Sequence, residues 1–199
     1  MFLLKEGPVE ISKNMQIAIV SSCHPRKCRI AAFSARVSNA LNNILGPDAT
    51  YFIALNNNRC YDYPSQVIFE IDQENLGDYF QAASLVNFSD VDIVSLQHEF
   101  ELFGGPDGKY IKVFLKHLKK PVVTTFHSVP ENPTSNQEKA LTETSSFSRA
   151  LVVMDSLAVT SLIKTYGISR SKIYLIPQGF SGHPLHKYLE IFANAMRQS

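Results

Sequence analysis

Seven short apolar runs recur along the chain, each about as long as a buried β-strand. They lie at residues 16–20, 51–55, 67–71, 91–96, 121–126, 150–154 and 172–176. Most of these runs are apolar at consecutive positions rather than at alternate ones. Parallel strands that are covered by helices on both faces have this pattern, whereas antiparallel strands with one solvated face alternate. The runs therefore predict a mainly parallel sheet of about seven strands.

Apolar residues at a spacing of three and four predict amphipathic helices between several of these runs. The predicted stripes are Ile30, Phe33, Val37, Ala40, Leu41 and Ile44; Leu76, Phe80, Ala83 and Val86; Tyr110, Val113, Phe114 and Leu118; and Leu157, Ser161, Leu162 and Tyr166. One more helix is predicted after a short linker at residues 181–184, from Leu185, Tyr188, Leu189, Phe192 and Met196. Alternating strands and helices indicate an α/β, Rossmann-like, doubly wound sheet with right-handed crossovers.

The composition is that of a globular domain that can bury its own core. The chain has 199 residues, of which 45% are hydrophobic and 19% are charged. A chain of this length buries about 70% of its extended surface on folding, and the composition argues against disorder. A net charge of +1 offers no strongly basic surface. We therefore expect no nucleic-acid partner and a membrane contact that is at most peripheral.

Cysteine content and hydropathy bear on the compartment. Three cysteines are too few for a disulfide framework, and their odd number suits a reducing environment. No apolar run approaches the roughly 20 residues of a membrane span. The first residues include Glu6, Pro8 and Glu10, which are unlike a signal peptide. These features predict a soluble, cytoplasmic protein.

Basic residues follow the first predicted strand and precede the first predicted helix. Arg26, Lys27 and Arg29 occupy this stretch, residues 26–29, which we call the basic turn. Because helix N-termini attract anions, the basic turn is a candidate for facing a phosphate or an anionic acceptor. A solvated turn without a ligand is an equal alternative. The chain has no Gly-x-Gly-x-x-Gly and no Walker A motif, so dinucleotide binding and P-loop hydrolysis lose their main support.

Histidines follow the fourth and fifth predicted strands, at the edge where open parallel sheets bind ligands. His98 and Glu99 lead into a loop with Gly104 and Gly105, which indicates a shaped loop at a cleft. The alternative is a plain turn with His98 bonded to backbone. His127 leaves the fifth strand, where it can donate to a substrate oxygen or carry a proton. Its alternative is a histidine satisfied by local hydrogen bonds.

Common catalytic and metal-binding motifs are incomplete in this chain. His98 and Glu99 lack the second histidine of His-Glu-x-x-His, so a zinc protease is disfavoured. No Gly-x-Ser-x-Gly nucleophile elbow is present, which disfavours a serine hydrolase. Cys23 and Cys28 have no second cysteine pair, so two free thiols are favoured over a zinc or redox site. We expect no metal site.

Several stretches occur in the order found in one enzyme family. They are residues 25–33 (PRKCRIAAF), 91–100 (VDIVSLQHEF), 103–108 (FGGPDG), 121–128 (PVVTTFHS), 150–154 (ALVVM) and 166–179 (YGISRSKIYLIPQG). Together they resemble the amino-terminal half of glycosyltransferase family 4 enzymes, and the resemblance covers about residues 15–180.

The resemblance implies a GT-B fold, in which two Rossmann-like domains face a cleft. The first domain mostly holds the acceptor and the second holds a nucleotide-sugar donor. It also implies retaining transfer of a hexosyl group from a UDP- or GDP-linked sugar to a saccharide or lipid-linked acceptor, without metal or further cofactor. His127 matches the family histidine that points at the donor sugar and is the implied catalytic residue. The implied substrate-binding residues are His98, Glu99, Arg26, Lys27, Arg29, Gly104 and Gly105.

Two departures from the family pattern shape the expectation. Arg29 stands where the family usually has glycine, so a bulky cation lies where backbone would approach a ligand closely. After Gly179 only about twenty residues remain, too few for a second Rossmann-like domain. We expect an amino-terminal domain at residues 1–180, and a linker and helix at 181–199 that pack back on it. The donor domain would be largely missing.

Three functions remain open at this point. The first is a glycosyltransferase or its acceptor-binding half, with a donor-domain partner chain or a homo-oligomer as the expected partner. The second is a non-catalytic binding or partner module derived from a glycosyltransferase. The third is an unrelated Rossmann-like enzyme, which the missing phosphate-binding fingerprints disfavour.

Overall fold

The computed structural model describes residues 15–177 and 183–197, which form seven strands and six α-helices. The strands are β1 (Ile17–Ser21), β2 (Thr50–Asn56), β3 (Val67–Asp72), β4 (Ile93–His98), β5 (Val122–Phe126), β6 (Ala150–Val153) and β7 (Ile173–Leu175). The helices are α1 (Arg29–Leu45), α2 (Leu76–Phe88), α3 (Ile111–His117), α4 (Ser135–Phe147), α5 (Ser156–Lys164) and α6 (His183–Arg197). Single 3-10 turns occur at Phe100–Leu102, Pro106–Gly108 and Arg170–Lys172.

All seven strands lie in one parallel sheet with the order β3-β2-β1-β4-β5-β6-β7. The chain runs outward from β1 to β3, crosses back to β4 on the other side of β1, and then runs outward to β7. Ile17 of β1 is thus paired with Thr50 of β2 on one side and with Ile93 of β4 on the other. This arrangement confirms the predicted α/β, Rossmann-like fold with flanking helices.

Helices cover the two faces of the sheet unequally. On the first face, which we call the α1–α6 face, a buried cluster joins Phe33 of α1 to Val123 of β5 and to Phe192 of α6. On the other face, the α2–α5 face, two clusters bury α2 and α3 against β1, β2 and β4, and α4 and α5 against β5 and β6. Right-handed crossovers that lead from β1 toward β3 lie on one face of the sheet, and those that lead toward β7 lie on the other face. The α1–α6 face over β5 and β6 would therefore be bare without α6.

The carboxy-terminal helix covers that area with aromatic and aliphatic side chains. Tyr188, Leu189 and Phe192 are fully buried there, and the Tyr188 hydroxyl lies 3.2 Å from the Thr125 hydroxyl of β5. Of the predicted linker at residues 181–184, the first two lie outside the described residues and the last two begin α6. Gly179, which ends the last family-like stretch, also lies outside them.

The buried faces of α2 and α5 differ from the predicted stripes. Helix α2 turns Tyr79 and Ala82 inward and leaves Phe80 about half exposed, since the Tyr79 hydroxyl is fixed by bonds to Gln73 O and Gly104 N. Leu157 of α5 is 66% exposed rather than buried.

Helix α4 has no counterpart in the prediction. Its buried face consists largely of small and polar residues, so it carries no strong apolar stripe. A capping box between Thr134 and Gln137 starts this helix. Among the helices of the described residues, none has both the length and the hydropathy needed to cross a bilayer.

Candidate functional site

The candidate site lies at the carboxyl edge of the sheet, where β1 and β4 are neighbours. The connection after β1 leads toward β2, and the connection after β4 leads toward β5 in the opposite direction. Such a reversal opens a crevice outside the strand ends, and ligands of open α/β sheets bind there. The basic turn follows β1, and His98 and His127 end or follow the adjacent β4 and β5. The structure therefore brings the predicted site residues to one edge of the sheet.

The basic turn is held by the start of α1. Cys28 caps this helix, with its Sγ accepting a bond from Ala31 N at 3.4 Å and lying 3.1 Å from Ser22 Oγ. Arg26 donates from Nη1 to Leu55 O at 3.0 Å, which ties the turn to the end of β2. Arg29 is the exposed first residue of α1. The turn thus places the N-terminus of α1 and an exposed guanidinium at the carboxyl edge.

Lys27 is also exposed on this turn. It adds a second solvent-facing cation beside Arg29, whereas Arg26 is already engaged with backbone. Binding of an anion by any of the three side chains stays a prediction.

His127 is fixed on several sides just beyond β5. Its backbone N donates to His98 O at 3.0 Å, and its ring Nε2 lies 3.0 Å from Gln97 Oε1. The ring meets Phe33 of α1 edge-on, with centroids 4.8 Å apart. Burial, and next the nearby positive charge of Arg29, lower the pKa of His127 from 6.5 to about 4. The imidazole is therefore neutral at physiological pH.

His98 leaves the same edge on the opposite face. Side chains alternate along a strand, so His98 lies on the α2–α5 face, where its ring contacts Phe100, Phe103 and Phe126 at centroid distances of 5.3, 5.6 and 5.1 Å. It is fully buried, and neither ring nitrogen has a hydrogen-bond partner among the described residues. Burial, and next the neighbouring His127, lower its pKa to about 3. Direct contact of His98 with a substrate stays a prediction.

Glu99 connects the two loops that leave β4 and β5. Its Oε2 accepts a bond from Ser128 Oγ at 2.7 Å, and its Oε1 accepts from Phe100 N at 3.1 Å. Both carboxylate oxygens are thus engaged within the protein. The arrangement holds Ser128, and with it His127, against the end of β4. A further contact of Glu99 with substrate stays a prediction.

Gly104 and Gly105 are required by local packing. A Cβ on Gly104 would lie 1.8 Å from Gln73 O and 2.7 Å from Tyr110 Cδ2. Gly105 has a φ of +73° and would place a Cβ 2.5 Å from Tyr110 Cε1. These contacts explain both glycines without a ligand, and substrate contact by either one stays a prediction.

Sequence reasoning did not single out Gln97 as a site residue. It is fully buried on β4, and its amide Nε2 donates to Ser95 Oγ at 3.1 Å while its Oε1 faces His127. Two polar residues two positions apart in an otherwise apolar strand share one face. That spacing was the available signal for a buried polar track leading to the site. Among the described residues, no group of three or more His, Cys, Asp or Glu side chains could hold a metal ion.

Comparison with known proteins identifies the fold. No family profile matches this sequence, and no curated protein sequence matches it. The chain is similar to the crystal structure of a glycosyltransferase from Rickettsia africae ESF-5, with a TM-score of 0.53 and 17% sequence identity. The match covers 83% of this chain and 43% of that chain, so this chain spans less than half of that protein's length. At this identity the likeness shows a glycosyltransferase-like fold and nothing finer.

Proposed function

We propose that this chain is the acceptor-side half of a retaining glycosyltransferase of family 4. The observation that carries the proposal is His127, a neutral histidine fixed at the carboxyl edge beside Arg29 and the N-terminus of α1. The likeness to a glycosyltransferase of known structure supports the same fold class. The co-substrate would be a UDP- or GDP-linked hexose, and the acceptor a saccharide or a lipid-linked sugar. A donor-domain partner chain or a second copy would complete the cleft.

The proposed reaction exchanges one bond to the anomeric carbon for another. The bond between that carbon and the diphosphate oxygen breaks, and the acceptor hydroxyl oxygen bonds to the carbon on the same face. The acceptor proton passes to the departing diphosphate, which leaves as UDP or GDP. Positive charge develops on the sugar and negative charge on the diphosphate, so electrostatic stabilisation is the main task of the site.

The residues at the carboxyl edge suit these two charges. His127 is uncharged near pH 7, so it adds no positive charge beside a developing oxocarbenium ion. The α1 N-terminus and Arg29 offer positive potential to a diphosphate or an anionic acceptor. Lys27 on the basic turn adds to this potential. His127 is accordingly the proposed catalytic residue.

The second candidate is a non-catalytic binding module with the same fold. The identity of residue 29 favours it, because a large exposed side chain occupies the first position of α1, where the family usually has glycine. A backbone without a side chain approaches a phosphate more closely than Arg29 allows. A module of this kind would keep acceptor binding and lose transfer.

Binding and turnover measurements separate the two candidates. The protein is titrated with UDP-glucose, GDP-mannose and simple acceptor sugars by calorimetry, and transfer is assayed alone and after mixing with candidate donor-domain chains. His127→Ala should weaken sugar binding about tenfold, or about 1.4 kcal/mol, whereas His117→Ala, at an exposed position of α3, should not. Transfer supports the enzyme, and acceptor binding without transfer supports the module. Absence of any sugar binding contradicts both.

A further inference from the structure

We propose that Gln97 is a positioning residue that holds His127 in the tautomer with its proton on Nε2, leaving Nδ1 as the hydrogen-bond acceptor of the site. The inference rests on the proposed function in one respect only, namely that the group donating to Nδ1 is a hydroxyl of the sugar. The tautomer itself follows from the arrangement of buried polar atoms on β4 and β5.

The amide of Gln97 determines which ring nitrogen carries the proton. Its oxygen lies 3.0 Å from His127 Nε2, and its nitrogen donates to Ser95 Oγ at 3.1 Å. An amide oxygen can only accept a hydrogen bond, so His127 Nε2 must donate. Because Gln97 and Ser95 are both fully buried, no solvent competes for these groups. In a neutral imidazole the other nitrogen, Nδ1, then carries the lone pair.

The orientation of the ring is fixed by contacts from three elements. Phe33 of α1 packs against it at 90°. The backbone N of His127 is bonded to His98 O on β4. The Glu99–Ser128 bond holds the loop that follows. Within the described residues Nδ1 makes no hydrogen bond, and the ring is only half-buried. The fold therefore specifies one donor atom that is used internally and one acceptor atom that is left for a ligand.

This assignment predicts which ligands the site distinguishes. A neutral Nδ1 accepts a bond from a sugar hydroxyl, whereas it repels a second acceptor such as a carboxylate or phosphate oxygen. A glutamine supports this state better than a glutamate, because a carboxylate at the same place would stabilise the doubly protonated imidazolium. Among the described residues, the charge of Arg29 on α1 acts on the ring, the Glu99 carboxylate is bonded to Ser128 beside it in the chain, and His98 is its titratable neighbour.

The test reads the protonation of each ring nitrogen by NMR. The protein is labelled with 15N-histidine, and long-range proton–nitrogen spectra are recorded at pH 7. The six histidines are sorted by the signals lost in His127→Gln. We expect a protonated Nε2 and an unprotonated Nδ1 for His127. An Nδ1-protonated ring, or an even mixture of tautomers, in the unaltered protein overturns the proposal.

Two variants test the role of Gln97. In Gln97→Met, which keeps the length of the side chain without its amide, we expect the His127 nitrogens to shift toward a tautomer mixture. In Thr125→Val, which removes a buried hydroxyl on the same face of β5, we expect no change at His127. An unchanged His127 spectrum in folded Gln97→Met overturns the positioning role. If that variant does not fold, Gln97→Glu is used instead, and we expect its carboxylate to favour the doubly protonated imidazolium of His127. A His127 ring that stays singly protonated at pH 7 in Gln97→Glu would then overturn the positioning role.

Sugar nucleotides are then added to the labelled protein. UDP-glucose or GDP-mannose should shift the Nδ1 signal of His127 more than its Nε2 signal. If neither of these compounds nor any simple acceptor sugar shifts Nδ1 while the tautomer is as expected, the proposed function fails and the positioning role stands. A larger shift at Nε2 contradicts the assignment of Nδ1 as the acceptor.

Discussion

Replacing Gly104 with alanine measures how far the fold alone demands glycine in the loop after β4. The added Cβ would lie 1.8 Å from Gln73 O, and the two must separate by about 1.2 Å to reach the 3.0 Å below which such contacts are essentially never seen. The obstacle is backbone, so no side-chain rotation relieves it. Overpacking of this kind costs about 1–3 kcal/mol.

The same shift disturbs a chain of two hydrogen bonds. Gly104 N donates to the Tyr79 hydroxyl at 3.1 Å, and that hydroxyl donates to Gln73 O at 2.9 Å. Each such bond contributes about 0.5–1.5 kcal/mol. Together with the overpacking, we expect Gly104→Ala to lower the free energy of unfolding by about 2–6 kcal/mol. For a chain of this length that corresponds to a melting temperature lower by about 4–24 °C.

Urea unfolding followed by far-UV circular dichroism provides the assay, with two glycines as controls. Gly167 has a φ of +65° with no atom within 4 Å of a Cβ, so its alanine variant should show backbone strain alone, about 1 kcal/mol. Gly77 has an ordinary φ and only the Asn75 side chain nearby, so its alanine variant should be nearly neutral. If Gly104→Ala is as stable as Gly77→Ala, the packing explanation is wrong, and a ligand becomes the better reason for glycine there.

The remaining predictions concern the core and the two histidines at the carboxyl edge. Phe192→Ala on α6 should lower the free energy of unfolding by about 3–5 kcal/mol, because the side chain is fully buried. Leu157→Ala on the exposed side of α5 should change it by less than about 0.5 kcal/mol. Both values are measured by urea titration, and equal losses would contradict the burial assigned to α6. Burial lowers the pKa of His98 to about 3 and of His127 to about 4, from an ordinary value of 6.5. The stability that their neutral forms contribute is fully present above pH 6.5 and is lost as the pH falls toward those values. Urea midpoints should therefore drop between pH 7 and pH 4, and His98→Leu should flatten that drop; parallel profiles for the two proteins would refute it.

Long buried runs made the sheet predictable. β1 is buried along its whole length, so its residues are apolar at consecutive positions and cannot be mistaken for a half-solvated strand. Each of the seven predicted runs forms a strand of the sheet. Helix α4 was not predictable in the same way, because its inward residues include Ala140, Thr144 and Ser145. In α2 a tyrosine hydroxyl with two fixed partners, rather than the largest apolar side chains, decides which side faces the sheet.

The sequence predicted that the two histidines lie at the carboxyl edge, but not on which face of the sheet each side chain lies. His98 and His127 were expected at one edge because both follow parallel strands, and they lie there. Their strand parity places them on opposite faces, and this requires the register in which His98 pairs with Phe126. The role of Gln97 depends on an atom-to-atom distance across two strands, which no pattern in one chain segment contains.

The covering of β5 by α6 has a consequence for how the chain matures. The Thr125 and Tyr188 hydroxyls that meet beneath His127 are separated by 63 residues. During synthesis β4 and β5 leave the ribosome before the helix that shields them, so one apolar side of the nascent sheet stays uncovered until α6 has been translated. Chaperone binding and misassembly concentrate on apolar surfaces that are exposed during folding. Translation of α6 thus completes the packing on which β5 and the adjoining candidate site rest.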